Sequence, residues 1–185
     1  MSEQHTPLER LIEGNRRYLC TGLSEGDVSP ARRRLTAEQG QRPHTVVICC
    51  SDSRVLPESI FSAGIGELFV IRVAGNVLDR HQLGSIEYAA AHLDCRLILV
   101  LGHSGCGAVS AALSGETDGF IRYITDEILL AVGGERDPDA ACRLNVLHAV
   151  DIIRREFANH PEISPEGLEV RGAVYDIASG AVDWL

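Results

Sequence analysis

The chain has no apolar run approaching the roughly 18 residues that a membrane-spanning helix needs. Its longest candidate, residues 97–101, reads Leu-Ile-Leu-Val-Leu and is a strand's length. The start, Met1-Ser2-Glu3-Gln4-His5, is polar and no apolar stretch follows it, so no targeting segment is expected. Excess positive charge is missing too. The formal net charge is -9, which disfavours nonspecific binding to nucleic acid or to an anionic membrane surface. Arg32, Arg33 and Arg34 form the only basic cluster, and with no aromatic residue interleaved they read as a solvated helix face. Repeats, low-complexity tracts and linkers are also lacking, so residues 1–185 are expected to form a single domain with one full core. Hydrophobic residues at 45% and charged residues at 23% exclude bulk disorder. A cytoplasmic protein is the default expectation.

Cysteine, by contrast, is plentiful: Cys20, Cys49, Cys50, Cys95, Cys106 and Cys142. In a secreted protein six cysteines could form three disulfides; in a reducing compartment they point to metal binding or catalysis. Cys49 and Cys50 are adjacent at the end of a strand-like run, so their side chains are expected on opposite faces. Cys20, Cys95 and Cys142 have no partner spacing and read as small buried hydrophobes.

Leu8, Leu11, Ile12, Tyr18 and Leu19 recur at helical spacing and predict an amphipathic first helix, broken by Gly22 and Gly26. Pro30 opens a second, arginine-rich helix that stops near Gly40. Residues 45–49, 68–71 and 97–101 are short runs, largely β-branched or aliphatic and without polar alternation, as expected of strands covered on both faces. Helical stretches over residues 57–63 and 85–93 separate them. Further helices are predicted after Gly107, over residues 120–132, and to about Ala158, the last with Leu144, Leu147, His148, Ile152 and Ile153 on its apolar side. Residues 168–185 read as a β-hairpin around Ser179-Gly180. The predicted fold is α/β: a central, mainly parallel β-sheet flanked by helices, with N-terminal helices and a C-terminal β-hairpin or edge strand. In such sheets ligand sites gather at the carboxyl ends of the strands.

Two segments stand at such ends: Cys50-Ser51-Asp52-Ser53-Arg54 and His103-Ser104-Gly105-Cys106-Gly107. Two thiolates and an imidazole suit Zn2+, and three protein ligands would leave the fourth position open, as in catalytic zinc sites. Asp52 is the natural neighbour or occupant of that position, and Arg54 can hold its carboxylate ionised. Zinc with two thiolates is formally neutral, so bound water should titrate above the ~7 of three-histidine sites, with activity rising with pH. Taken alone, the same residues also allow a redox or nucleophilic cysteine paired with His103, or simple packing.

The two segments, Cys-Ser-Asp-Ser-Arg-Val (50–55) and Gly-His-Ser-Gly-Cys-Gly-Ala (102–108), resemble the signature motifs of the beta-class carbonic anhydrases. The resemblance extends through Glu13-Gly14-Asn15, Gly40-Gln41, Pro43, residues 66–72, Ala74-Gly75-Asn76, residues 85–89 and Tyr175-Asp176, in order along nearly the whole chain. It implies zinc held by Cys50, His103 and Cys106, and reversible hydration of CO2 to bicarbonate. It implies an Asp52–Arg54 dyad in which the carboxylate accepts a hydrogen bond from zinc-bound hydroxide. It implies Gln41 as an amide that bonds substrate or bicarbonate, and Phe69 and Tyr88 as apolar wall residues packing at a dimer interface beside the pocket. Gly107 is either a backbone position near the ion or a helix-start residue. A homo-oligomer follows, a dimer or a dimer of dimers, without nucleic-acid or membrane partners.

Two positions depart from the family pattern. Val73 stands where Asn is more frequent, bearing on hydrogen bonding near Asn76, and Val47 stands where the bicarbonate-inhibited subgroup carries Trp. The second favours an open site with Asp52 on Arg54 over a closed one with Asp52 as fourth ligand. His81 and His92 are candidates for a proton shuttle. The competing functions are hydrolysis of carbon disulfide or carbonyl sulfide on the same zinc, and a non-catalytic zinc or redox-sensing module.

Overall fold

The computed structural model describes residues 5–116, 118–158, 160, 163 and 167–185. Helix α1, Pro7–Thr21, starts on a capping box in which Thr6 and Glu9 satisfy each other's backbone N–H groups, and it ends at Gly22 in a left-handed conformation. Helix α2, Pro30–Gln39, buries none of its residues. Arg33 and Arg34 lie on its exposed side, as expected, while Arg32 is half-buried and donates to the Ile65 carbonyl.

Five strands follow: β1 Thr45–Cys49, β2 Leu68–Arg72, β3 Leu97–His103, β4 Glu169–Tyr175 and β5 Val182–Trp184. They form one sheet in the order β2-β1-β3-β4-β5, parallel throughout except for β5, which runs antiparallel to β4 and closes the expected hairpin. The strand following β1 pairs on one side of it and the next on the other, so the chain reverses direction across β1. The crevice at that reversal, outside the carboxyl ends of β1 and β3, is where open α/β sheets bind ligands.

Strand alternation sorts the core. Val47, Cys49, Leu97, Leu99 and Leu101 face α1 and the short helix α3, Pro57–Ile60. Val46, Ile48, Ile98 and Val100 face α4, Arg80–Leu93, and α7, Pro138–Phe157. Cys49 and Cys50 therefore part to opposite sides. Cys50 joins a third cluster with Cys106, Val109 and Ala112 of α5, Gly107–Ser114, and Ile128 and Val132 of α6, Arg122–Val132.

Three sequence expectations are corrected. On α7 the inward stripe is Ala141, Cys142, Asn145, Val146, Ala149, Val150 and Ile153, whereas Leu144 and Leu147 are 37% and 43% exposed. The sheet explains the rotation: a Cβ at Gly102 would lie 2.6 Å, and one at Gly172 2.9 Å, from Val146, so α7 sits where two glycines admit a valine and leave no room for leucine. On α1, Leu8 and Leu11 of the proposed stripe turn inward and Tyr18 is half-buried beside Gly180, while Ile12 and Leu19 are exposed and Gly14 and Asn15 complete the buried face. Cys20, read as buried, is exposed at the end of α1.

Gly14 brings α1 against backbone. A Cβ there would stand 1.9 Å from the Phe61 carbonyl oxygen. Asn15, one residue on, donates to the carbonyls of Ile60 (3.2 Å) and Gly180 (3.0 Å) and accepts from the Val182 N–H, tying α1 to the C-terminal hairpin. Gly14→Ala is expected to push the helix away and destabilise the fold by roughly 2–4 kcal/mol. Thermal unfolding reads this, and an unshifted Tm would show that the contact relaxes freely.

Candidate metal centre

Cys50 is the first residue beyond β1. The ladder to the neighbouring segment continues past it through Val73 N–H to the Cys49 carbonyl (3.2 Å) and Ser51 N–H to the Val73 carbonyl (3.3 Å). A 3-10 turn, Ala74–Asn76, then brings the Gly75 N–H to 3.3 Å from the Cys50 sulfur. His103 is the last residue of β3, which runs two residues further than its apolar core suggested and pairs His103 with Tyr175. Gly105, at φ 63°, turns the chain so that Cys106 becomes the N-cap of α5. Ser104 anchors the turn, its N–H on the Tyr175 carbonyl (2.9 Å) and its hydroxyl accepting from Ile177 (3.0 Å).

These turns place one donor atom each of Cys50, His103 and Cys106 within 4.8 Å of one another. All three residues are buried, at 5%, 0% and 4% exposure. The imidazole Nδ1 lies 3.0 Å from the Ser104 carbonyl oxygen. Because that oxygen can only accept, Nδ1 carries the proton and Nε2 presents a lone pair. Nε2 is buried and has no hydrogen-bond partner among the described residues. A buried acceptor without a donor is costly, and the proton left on the two adjacent sulfurs is shared between them. Cys50 is drawn down chiefly by the Cys106 S–H, against its burial, with further help from the Gly75 and Asp52 backbone. Cys106, which keeps the shared proton, is pushed up chiefly by Cys50 and by burial, while the N–H groups of Val109 and Ala108 at the start of α5 act the other way. An orphaned imidazole nitrogen facing two sulfurs fits a tetrahedral ion of the zinc type with one position left over.

Asp52 stands beside that position. Its Oδ2 lies 4.0 Å from His103 Nε2. Its two oxygens accept from Arg54 Nε (2.9 Å) and Nη2 (2.7 Å), and Oδ1 also accepts from the Arg54 backbone N–H (2.9 Å). This bidentate pairing holds the Asp52 carboxyl well below the usual carboxylate range. Arg72 closes the segment 66–72 that resembles the family, but nothing in the sequence assigned it a role of its own. From the end of β2 it donates to the carbonyls of Asp52 (2.7 Å) and Cys50 (3.3 Å), clamping the loop that carries both side chains. It is a charge closing an apolar strand level with Cys49.

Of the other candidates, Gln41, Phe69 and Tyr88 are not brought to this group by the same chain, whereas Gly107 directly follows Cys106. Gln41 is exposed and precedes β1, where Arg42 and His44 pair with Gly66 and Glu67. The five-residue strand alone separates it from Cys50 by roughly 16 Å. Phe69 lies in the first half of β2, its ring 6.3 Å from Tyr88 of α4, which is 49% exposed. Gly107 is the first residue of α5, exposed, with open space where a side chain would project. His81 and His92 are both exposed on α4, His81 beside Asp79 and His92 against Tyr88.

Comparison with known proteins agrees with this architecture. The family model described as carbonic anhydrase matches residues 45–182. Carbonic anhydrase 2 of Mycobacterium tuberculosis is 37% identical over 181 residues, covering 92% of this chain and 87% of the relative. The Coccomyxa beta-carbonic anhydrase, solved in complex with acetazolamide, superposes with a TM-score of 0.68 at 28% identity, over 96% of this chain and 86% of the other. One of the two tetrameric beta-carbonic anhydrases of Sordaria macrospora does so with a TM-score of 0.64 at 32% identity, over 84% and 87%. With the turns that carry Cys50, His103 and Cys106 placed and these likenesses spanning most of its length, the chain belongs to the beta-class carbonic anhydrase family.

Proposed function

We propose that the chain catalyses its family's reaction, the reversible hydration of carbon dioxide to bicarbonate and a proton, at a zinc ion held by Cys50, His103 and Cys106. The carrying observation is the buried His103 Nε2, unpartnered among the described residues and facing two sulfurs, with a carboxylate oxygen 4.0 Å away. When bound, zinc supplies the Lewis acidity that makes a coordinated water an attacking nucleophile, and donation from two thiolates sets the pH of that change above the roughly neutral value of three-histidine sites.

The chain's own residues do the rest. Asp52 accepts a hydrogen bond from the attacking oxygen and aims it; Arg54 keeps the acceptor ionised and in place. Arg72 fixes the loop beneath them. Gly107, carrying no side chain, leaves space beside Cys106. Gln41 can serve this site only from a second copy, which also gives a role to the outward Phe69–Tyr88 pair as apolar wall at the interface. A homodimer, or a pair of dimers as in the Sordaria proteins described as tetrameric, is supported by that need and by exposed Phe120, Tyr123 and Leu130. No described helix is long and apolar enough to cross a membrane, and the six cysteines are unpaired, which supports a reducing, cytoplasmic setting.

The test is stopped-flow CO2 hydration on protein of known zinc content. Turnover is expected to rise by about an order of magnitude between pH 6.5 and 8.5. Asp52, ionised across this range, cannot be the titrating group. Protein with one zinc per chain and no hydration would overturn the proposal, and a profile flat from below neutrality would overturn the charge argument.

A further inference from the structure

Helix α7 carries two polar side chains into the core, three residues apart and so on one face: Cys142 at 4% exposure and Asn145 at 3%. Both reach backbone of the ligand-bearing segments. The Cys142 S–H donates to the His103 carbonyl (3.2 Å), and Asn145 Nδ2 donates to the Gly75 carbonyl (2.8 Å). Burying a primary amide among Ala141, Val146 and Ala149 is unfavourable unless its hydrogen bonds are made.

What the Asn145 bond holds is a turn that local preference would not keep. Gly75 and Asn76 both have positive φ, 68° and 45°, and for Asn76 that conformation is a strained one. Such geometry persists only where its surroundings over-determine it. The Gly75–Asn76 peptide is held from two sides: its oxygen by Asn145, and its N–H by the Val73 carbonyl (3.0 Å). The Asn76 side-chain nitrogen, buried, has no acceptor among the described residues, and the aliphatic Val73 offers it none. With the peptide fixed, the two torsions of Gly75 (φ 68°, ψ 14°) decide where its own N–H points, and it points at the Cys50 sulfur (3.3 Å). Any other residue at 75 would be strained by the positive φ, and its Cβ would crowd Ile128 at 2.8 Å and Ala108 at 3.0 Å.

We propose that Asn145 is a positioning residue of the metal centre, which locks the Gly75 turn so that its N–H donates to the Cys50 thiolate and tunes that sulfur as a ligand. The inference rests on the zinc site proposed above. A hydrogen bond to a coordinating thiolate lowers the energy of the sulfur electrons and orients the ligand, and such outer partners typically carry about 10- to 100-fold in metal affinity.

The experiment compares the parent with Asn145→Leu, similar in size but without a donor, and with Asn145→Ala, which adds no bulk and reads the same effect if the leucine variant does not fold. Val150→Ala, a cavity on the same helix facing the sheet, is the control for general loosening of α7. Two readouts are taken on each protein: the affinity for zinc in competition with a chelator, and the sulfur-to-metal charge-transfer absorption after loading with Co2+. The Asn145 variants are expected to bind zinc about 10- to 100-fold more weakly and to absorb at longer wavelength. Val150→Ala should lower Tm while leaving affinity and band in place. Asn145→Ala with parental affinity and an unmoved band overturns the inference, as does an equal change in Val150→Ala. A parent that binds no stoichiometric metal overturns the functional proposal itself.

Discussion

Purified His103→Ala protein is expected to contain no stoichiometric zinc and to hydrate CO2 no faster than background. His103 is fully buried at the end of β3, and its Nε2 is one of only three donors in the cluster. Removing it leaves two sulfurs that share a proton between them, a chelate too poor to hold zinc against water. Because the binding free energy of multi-ligand zinc sites is on the order of 10 kcal/mol, losing a third of the ligand set should weaken affinity by several orders of magnitude. Metal content by elemental analysis, beside hydration rates, reads the result. Stripping zinc from the parent with a chelator should give the same inactive state, and adding zinc back should restore the parent but not the variant. A variant that keeps metal and activity would show that the imidazole is no ligand.

Asp52→Asn is expected to keep zinc while kcat falls by about 100- to 1,000-fold. The substitution preserves size and removes charge. The parent carboxylate is a pure acceptor, clamped through both oxygens by Arg54 and so ionised at any pH where the enzyme would work. An amide can still accept from Arg54 through one oxygen, but it presents N–H groups where the attacking oxygen needs an acceptor. Geometry is thus nearly retained and polarity inverted. Unchanged kcat in zinc-replete protein would remove Asp52 from the mechanism, whereas loss of zinc would make it a ligand.

How far the sequence could be read depends on how local each feature is. Cys49 and Cys50 part to opposite sides because strand side chains alternate, a property of backbone geometry alone. Asp52 and Arg54 are two residues apart on one turn, so their pairing needs no distant partner. His103 and Cys106 straddle Gly105, whose left-handed conformation closes the turn between them. Apolar runs without polar alternation announced a parallel sheet, and with it the strand ends where the site lies.

Features that depend on two distant segments were not legible. The inward face of α7 was misread because Gly102 and Gly172, 44 and 26 residues from Val146, set how closely that helix approaches the sheet. Arg72 and Asn145 showed no role in the sequence, since each acts on backbone carbonyls far along the chain. Gln41 carries a familiar neighbourhood, yet the strand that follows holds it at the opposite end of the sheet from Cys50. By itself, then, the sequence determined the fold class, the ligand types and the local pairing of Asp52 with Arg54, because short-range covalent geometry constrains those. Tertiary structure alone decided that three donors converge, that Nε2 of His103 is the free one, and that α7 braces the Gly75 turn. Those outcomes follow from packing between segments, where the closest approach is set by the smallest residue on each facing surface.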